Sequence, residues 1–529
     1  MNEGLGRFSR AMQKTFAVEG GGTFSFRRCL WLCLPALILG AVLRISLLSA
    51  IPEALYGSDS NSYFETASDL YLKGDFDLPA KRRYIYPLLL AAAPLVPFCN
   101  SLQIVAVVQH AAGLAMLVGI GWITGHLVRR PGLWVPLVTT LSAVWPRMLY
   151  YEHEMVAESL LLGVFIAAVA IAAPPGGLAS SRRLIAFCLM ALLIMAVKPA
   201  GRPLWLGLLG AAVLITRRPL AWPKVCYATV PLAVVIALTT GGDAQGPWLF
   251  LSSTLPLVKA EGEPYAKERA LLRTAIETAR ADLPNYAFRQ AIYKKMLSNT
   301  RPDAELGPDY TALAKDKARF SKVANTLGRA AVLEHPVQYF RLVVMKVVAS
   351  AANRHPEERL FPARFWEDQN HASEGRWARR TAQMRLVYEM EEPAYLAMVA
   401  ERTQRQLWLS PVLHALRQKI NWLQAAPGRP GEPPVIRLQT LGWLALLGLA
   451  AALLPGRFAR TSILWLPVLL YLVIVYAVGD SLPRYLHPIE WAVFILIAIG
   501  LDALVEGGCA LGRRFRAEPP AAGAGFLAR

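Results

Sequence analysis

Long apolar windows recur along almost the whole chain, and they constrain its fold more than any other feature. Of its 529 residues, 55% are hydrophobic and only 18% are charged, which is more apolar surface than one soluble core needs. A bilayer-spanning helix needs about 20 apolar residues, so the pattern predicts an all-α polytopic membrane protein with about ten spans. The predicted spans are 30–50, 102–127, 133–150, 156–173, 184–198, 203–216, 222–240, 437–454, 462–479 and 486–505.

Short basic clusters indicate which ends of these spans are cytoplasmic. Lys and Arg favour the cytoplasmic side, and the net charge of +19 is concentrated at alternate turns. With about ten spans, every cluster falls on the side of both termini, which predicts cytoplasmic termini in a bacterial inner membrane. Because membrane topology explains the basic charge, nucleic acid is not expected as a partner. The clusters begin at Arg7, Arg27, Arg129, Arg182, Arg217, Arg457 and Arg513.

The topology divides the chain into membrane modules and periplasmic regions. The predicted segments are a cytoplasmic N-terminal segment 1–29, a transmembrane module 30–240 with an outer loop 51–100, a mainly helical periplasmic region 241–436, C-terminal transmembrane helices 437–507, and a cytoplasmic, disordered tail 508–529. Helical spacing recurs at 264–281 and 286–298 within the periplasmic region. The apolar stretches 84–98 and 337–352 carry prolines or charges and predict helices lying at the membrane surface.

An acid stands directly after the first span. Asp59, Tyr63 and Ala67 follow one another at intervals of four, so they share one face of a predicted helix. Such an acid can take a proton from a hydroxyl within hydrogen-bond reach, although Asp59 could instead cap that helix. Further along the loop, Lys81, Arg82 and Arg83 place positive charge on the periplasmic side, which favours an anionic ligand such as a phosphate or a patch on lipid headgroups.

A second acidic cluster precedes the fourth span. Glu158 stands inside an apolar helix, where an ionised acid costs on the order of 3 kcal/mol and calls for a partner or a task. Glu154 lies four residues earlier, so the two acids are expected to share a helical face. With Asp59 and His153 they predict an acidic pocket. Asp59, Glu154 and His153 are the candidate ligands of a divalent cation such as Mg²⁺ or Mn²⁺.

Basic residues at the same end offer partners for these acids or for a phosphate. An ion pair with Arg147 is the structural alternative to a functional acid, and it is favoured more for Glu152 than for Glu158. Arg484 opens the final span, where it could bind a phosphate in bidentate fashion or extend to the lipid headgroups. The candidate phosphate-binding residues are Lys81, Arg82, Arg83, Lys198, Arg202, Arg484 and His487.

Several short motifs occur in an order that resembles a known family. They are Asp59-x3-Tyr63-x3-Ala67, Arg83-Tyr-Ile-Tyr86-Pro87, Tyr151 to Glu158-Ser159, Lys198-Pro199, Glu334-His335-Pro336, and Pro483-Arg484-Tyr485-Leu486-His487-Pro488. Together they resemble the GT-C superfamily of membrane glycosyltransferases, in the branch of protein O-mannosyltransferases and lipid A aminoarabinose transferases. The region 241–436 lies largely outside this resemblance.

The resemblance implies transfer of a sugar from a polyprenyl-phosphate donor to a hydroxyl on the outer face, with inversion. Asp59 occupies the position of the catalytic base, and Glu154 and Glu158 are further catalytic candidates. Tyr63, Tyr86 and Tyr485 are expected to line the pocket. Many protein-mannosylating relatives carry Asp-Glu where this chain has Asp59-Ser60, so the acceptor remains open between lipid, glycan and protein.

Other classes of membrane protein make different predictions. A transporter or flippase should carry charges deep within several spans and show related halves. The predicted spans are mostly apolar, with charges at their outer ends. A lipid-linked polysaccharide ligase or polymerase would rely on arginines in large outer loops, and the early Asp59 motif argues against it. A non-catalytic scaffold would leave Asp59 and Glu158 replaceable.

Overall fold

The chain folds into α-helices, as the apolar pattern predicts. The computed structural model describes residues 24–55, 59–74, 83, 85–96, 101–216, 246–298, 305–352, 397, 436–478 and 485–517. Within these residues no strand forms, and Leu55 and Glu154 make one isolated β-bridge. The α-helices are α1 (Phe26–Ala50), α2 (Ser60–Lys73), α3 (Ile85–Ala92), α4 (Ser101–Leu127), α5 (Pro131–Ala143), α6 (Pro146–His153), α7 (Glu158–Ala172), α8 (Ser181–Val197), α9 (Arg202–Thr216), α10 (Gly246–Thr254), α11 (Ala266–Ala281), α12 (Tyr286–Ser298), α13 (Gly307–Lys315), α14 (Lys317–Glu334), α15 (Pro336–Ala352), α16 (Ile436–Ala452), α17 (Phe458–Val478) and α18 (His487–Ala517).

Five described helical segments are long and apolar enough to cross a membrane, so the chain is an integral membrane protein. They are Phe26–Ala50, Ser101–Leu127, Pro199–Thr216, Phe458–Val478 and His487–Gly508. The other predicted spans coincide with shorter helices, except for 222–240, which lies outside the described residues.

Two predicted elements differ in detail from the observed helices. The predicted span 133–150 is two helices, α5 and α6, because Pro146 starts a new helix and Trp145 before it is extended. The last helix continues to Ala517, past the predicted module end at 507, because 508–517 contains good helix formers such as Ala, Leu and Arg. The predicted disorder of the tail therefore fails for 508–517, and 518–529 lie outside the described residues.

The membrane helices pack around one hydrophobic core that draws on both ends of the chain. It extends from Leu43 in α1 to Ile499 in α18. α1 packs against α4 and α5, α9 packs along α17, and α16 packs along α18. The α16–α18 contact requires Gly448, because a Cβ there would lie 1.9 Å from the carbonyl oxygen of Leu496. The N-terminal and C-terminal membrane helices thus form one bundle.

The described helices between 246 and 352 form a second core. α10 to α14 pack around buried residues such as Leu272 and Tyr310, and Trp248 stacks on Phe320 at a ring distance of 3.7 Å. α11 and α12 confirm the helices predicted at 264–281 and 286–298. α15, predicted as a surface helix, contributes Leu342 to this core and Val343 to the core of the membrane bundle. α15 therefore packs against both the membrane bundle and the second core. We call α10–α15 the helical region.

Candidate active site

The chain segment after α1 is held by backbone hydrogen bonds to the segment after α6. The Leu55 amide donates to the carbonyl oxygen of His153 at 2.7 Å, and the Met155 amide donates to the carbonyl oxygen of Leu55 at 2.9 Å. The Ser60 hydroxyl donates to the carbonyl oxygen of Met155 at 2.9 Å. These bonds involve residues on both sides of Asp59 in the sequence, and they attach Leu55 and Ser60 to the segment 153–155. We call this side of the membrane bundle, where α1 ends and α18 begins, the Asp59 end.

Asp59 directly precedes α2, but its side chain does not cap the helix. It occupies the N-cap position with helical backbone angles, and its side chain makes no capping hydrogen bond. One helical turn later, Tyr63 is buried, and Ala67 is buried a turn after that, which confirms the shared face predicted from their spacing. The capping alternative for Asp59 is therefore wrong, and the half-buried Asp59 lies one turn before the buried Tyr63.

Gln109, in the middle of α4, connects three parts of the site. Its amide nitrogen donates to the carbonyl oxygens of Glu152 and Glu154, both at 2.9 Å. Its amide oxygen accepts from the Tyr86 hydroxyl at 2.7 Å. The Tyr86 ring packs edge-on against Tyr63 with centroids 5.1 Å apart. The predicted pocket residues Tyr63 and Tyr86 are thus neighbours, and Gln109 fixes them relative to Glu154.

A chain of buried polar side chains runs beneath this pocket. Arg44 in α1 donates to both carboxylate oxygens of Glu152, at 2.7 and 2.6 Å. His110 approaches the same carboxylate at 3.2 Å through Nδ1, and its Nε2 lies 2.8 Å from Nδ1 of His153. Gly113 makes room for this chain, because a Cβ there would lie 2.3 Å from the Glu152 carboxylate. The paired charges anchor α6 to α1 and α4.

Glu158 has a partner, as its position in an apolar helix requires. Lys198, just after α8, donates to the Glu158 carboxylate, and both side chains are largely buried. Both residues also lie close enough to His487 to act electrostatically on its ring. His487 is fully buried and packs on Tyr151, with ring centroids 4.6 Å apart. Within the described part of the chain, neither nitrogen of His487 has a hydrogen-bond partner.

Two expectations about the acids are wrong. Arg147 bonds to Glu490 at 2.6 Å rather than to Glu152, because α6 packs close to the first turn of α18. Glu154 and Glu158 do not share a helical face, since the backbone is extended at Glu154 and α7 begins at Glu158.

The remaining predicted phosphate-binding residues are in different situations. Arg83 is buried, whereas Arg202 is exposed on the first turn of α9. Tyr485 is half-buried and packs edge-on against Tyr476, with centroids 6.4 Å apart. Lys81, Arg82 and Arg484 lie outside the described residues.

The predicted cation has no ready-made set of ligands in the described part of the chain. No group of three or more His, Cys, Asp or Glu side chains there could hold a metal ion. Asp59, Glu154 and His153 are all described, so they do not form such a group. His153 directs one ring nitrogen at His110 instead. A requirement for Mg²⁺ or Mn²⁺ stays a prediction.

Sequence reasoning missed three residues that organise the site: Arg44, Gln109 and His110. Each interrupts an apolar window, and a polar residue within a span is by default a functional candidate. Charged and ionisable residues are therefore not confined to the outer ends of the spans, since Arg44 lies inside α1 and His110 inside α4. At about 1.5 Å per residue, Arg44 lies roughly 9 Å from the end of α1.

The fold and site define a helical integral membrane protein with a buried acid, cation and imidazole cluster at one end of its bundle. No protein-family model matches the sequence, and no curated protein matches it.

Similar solved structures are two of ArnT from Cupriavidus metallidurans and one of an oligosaccharyltransferase from Archaeoglobus fulgidus. ArnT bound to undecaprenyl phosphate is 13% identical, with 93% of this chain and 81% of ArnT covered and a TM-score of 0.30. The apo ArnT structure has 13% identity, coverage of 92% and 80%, and a TM-score of 0.29. The oligosaccharyltransferase, tethered with an acceptor peptide, is 10% identical, with coverage of 93% and 52% and a TM-score of 0.35. TM-scores this low do not establish a shared fold.

Proposed function

We propose that this chain is an inverting glycosyltransferase that moves a sugar from a polyprenyl-phosphate donor to a hydroxyl acceptor on the outer face of the inner membrane. The environment of His487 carries the proposal. Its ring is fully buried, and both nitrogens lack a hydrogen-bond partner among the described residues. A buried polar group without a partner costs about 1–3 kcal/mol, which a ligand would offset. The ammonium of Lys198 lies near this ring and favours a phosphate as that ligand.

The residues of the site fit the steps of such a transfer. The acceptor oxygen attacks the anomeric carbon from the face opposite the phosphate, and the bond from that carbon to the phosphate oxygen breaks. The lipid phosphate leaves with the electron pair, and Lys198 and His487 stabilise its charge. Asp59 takes the proton of the acceptor hydroxyl as general base. Tyr63 and Tyr86 line the space between the base and the phosphate.

Transport of a lipid phosphate is the competing function, because charged groups lie inside the spans. Arg44 and His110 are ionisable groups inside α1 and α4, and a transporter would use them, with the neighbouring Glu152, along its path. Here they bond to one another, and all three are buried. An anchored, paired network favours a fixed framework over a path through which a substrate moves.

Replacing the proposed base should separate these functions. We expect Asp59→Asn to abolish transfer of sugar from a polyprenyl-phosphate donor by the purified protein in nanodiscs, because the amide cannot accept the proton, while donor binding persists. Asp69→Asn is the matched control, since Asp69 lies on the same helix and forms an exposed ion pair with Lys73. Full transfer activity in Asp59→Asn would refute the mechanism, and movement of the lipid without sugar transfer would favour transport.

A further inference from the structure

The last turn of α17 is capped by side chains of the helical region. The final carbonyls of a helix have no partner within it. Here the carbonyl oxygen of Tyr476 accepts from the Lys346 ammonium at 3.1 Å, and that of Val478 accepts from the Ser253 hydroxyl at 3.1 Å. Between them, the carbonyl oxygen of Ala477 accepts from the Tyr339 hydroxyl. Three consecutive carbonyls of a membrane helix are thus bonded to residues of α10 and α15. We call these three bonds the α17 cap.

Lys346 is the strongest of the three capping residues. Its side chain is 0% exposed, so its charge has left water and must be compensated inside the protein. The C-terminus of a helix carries partial negative charge, and an ammonium at that position is attracted to it. Lys346 therefore binds both a hydrogen-bond acceptor and the negative end of the α17 dipole. This interaction ties α15 to the membrane bundle.

The α17 cap lies next to the residues proposed to bind the donor phosphate. Tyr476 offers its carbonyl to Lys346 and its ring to Tyr485. Only positions 479–486 separate the end of α17 from His487, which packs on Tyr151. Because the Tyr476 ring packs against Tyr485, movement of the last turn of α17 would be transmitted to Tyr485, two residues before His487.

We propose that Lys346, with Tyr339 and Ser253, is a positioning residue that holds the end of α17 and so places His487 for the phosphate of the lipid donor. The proposal rests on the proposed function for the identity of the ligand, but the mechanical link between α15 and the start of α18 does not. Through this link the helical region sets the affinity of the site for the donor. The three capping residues do not themselves contact the donor.

Kinetics of the full-length protein in nanodiscs test the positioning role. Lys346→Met removes the charge and keeps an apolar chain of similar length, so we expect the KM for the polyprenyl-phosphate sugar to rise about tenfold, as for a lost charged hydrogen bond, with kcat within about twofold. Lys346→Arg keeps a charged donor and should recover most of the affinity. Tyr339→Phe removes one hydroxyl from the same cap, with minimal change in packing, and should raise KM in the same direction.

Hydrogen exchange provides a readout that does not depend on activity. Amides of 485–490 should exchange faster in Lys346→Met and Tyr339→Phe than in the wild type. Lys259→Met is the matched control, because Lys259 is in the same region and pairs with Glu334, but the pair is exposed and belongs to α14 rather than α17. Unchanged exchange in both cap variants would overturn the proposal. Faster exchange in a protein without transferase activity would uphold the link and refute the proposed function instead.

Discussion

The ion pair between Glu158 and Lys198 stabilises the fold, and in the proposed function Lys198 also binds the donor phosphate. Glu158 is 2% exposed, and as the first residue of α7 it also benefits from the positive end of that helix dipole. Lys198 neutralises it and stands beside His487, where the donor phosphate is proposed to bind. A variant of Lys198 could therefore lose transferase activity because the protein is less stable, rather than because the phosphate has lost a ligand.

A double substitution separates the effect of Lys198 on stability from its effect on phosphate binding. Lys198→Met leaves a buried carboxylate without its cation and should lower the free energy of unfolding by about 3–5 kcal/mol. Adding Glu158→Gln removes the stranded charge and should restore much of the thermal stability, while sugar transfer stays impaired because the phosphate has lost its ammonium. Thermal unfolding and transfer assays on the two single variants and the double variant give the answer. Recovery of transfer in the double variant would exclude Lys198 from phosphate binding.

Among the helices, α4 holds several parts of the site in position through the side chains of Gln109 and His110. Gln109 joins α3 to the turn after α6, and its neighbour His110 joins Glu152 to His153. The segments 51–55 and 154–157 are short and irregular, so they depend on such side-chain bonds for their position. The spacing of Tyr63 and Ala67 predicted the buried face of α2. No local pattern predicted that Gln109 of α4 would bond to Tyr86, whose ring packs on Tyr63.

Removing the Gln109 amide should loosen this attachment. Gln109→Leu removes the amide that bonds to the carbonyl oxygens of Glu152 and Glu154, and it leaves the buried Tyr86 hydroxyl without this acceptor. The Glu154 carbonyl keeps its bond from the Val156 amide, and each group that is left unpaired costs about 1–3 kcal/mol. We expect kcat to fall by more than tenfold, with a smaller change in KM for the donor, because the base side of the pocket is disturbed and the phosphate side is not. Gln103→Leu is the control on the same helix, since Gln103 makes a partly buried contact with Glu53 at 3.2 Å. A larger effect on KM than on kcat would contradict this division of the site.

In the whole molecule, a buried acid joins the N-terminal and C-terminal membrane helices, away from the Asp59 end of the bundle. Asp502 in α18 accepts from the Arg129 amide at 2.8 Å and from the Trp134 indole at 3.0 Å. A second acid of α18, Glu506, bonds to Arg129 and to Arg457. The basic turns that predicted the cytoplasmic side therefore also fasten α18 to the turns before α5 and α17.

Neutralising Asp502 should weaken the whole bundle without altering the chemistry at the Asp59 end. Asp502→Asn removes the charge from these hydrogen bonds, so the thermal unfolding midpoint should fall, by the equivalent of about 1–3 kcal/mol. Donor KM and kcat of the folded fraction should stay unchanged, because Asp502 lies about 22 Å along α18 from His487, at about 1.5 Å per residue. Asp69→Asn, at an exposed ion pair, should leave the midpoint within error of the wild type. An unchanged midpoint in Asp502→Asn would show that the ends of the chain associate without this contact.

Apolar length alone predicted the five described helical segments that are long enough to cross a membrane, because it is a local property of the chain. Local rules also predicted the buried face of α2 and a partner for Glu158, since these follow from helical spacing and the cost of burying a charge. Which charges pair depends on tertiary packing. Arg44 and Glu152 are 108 positions apart, and Arg129 and Asp502 are 373 positions apart. Such pairs form because separate helices pack side by side, and no spacing along the chain encodes that contact.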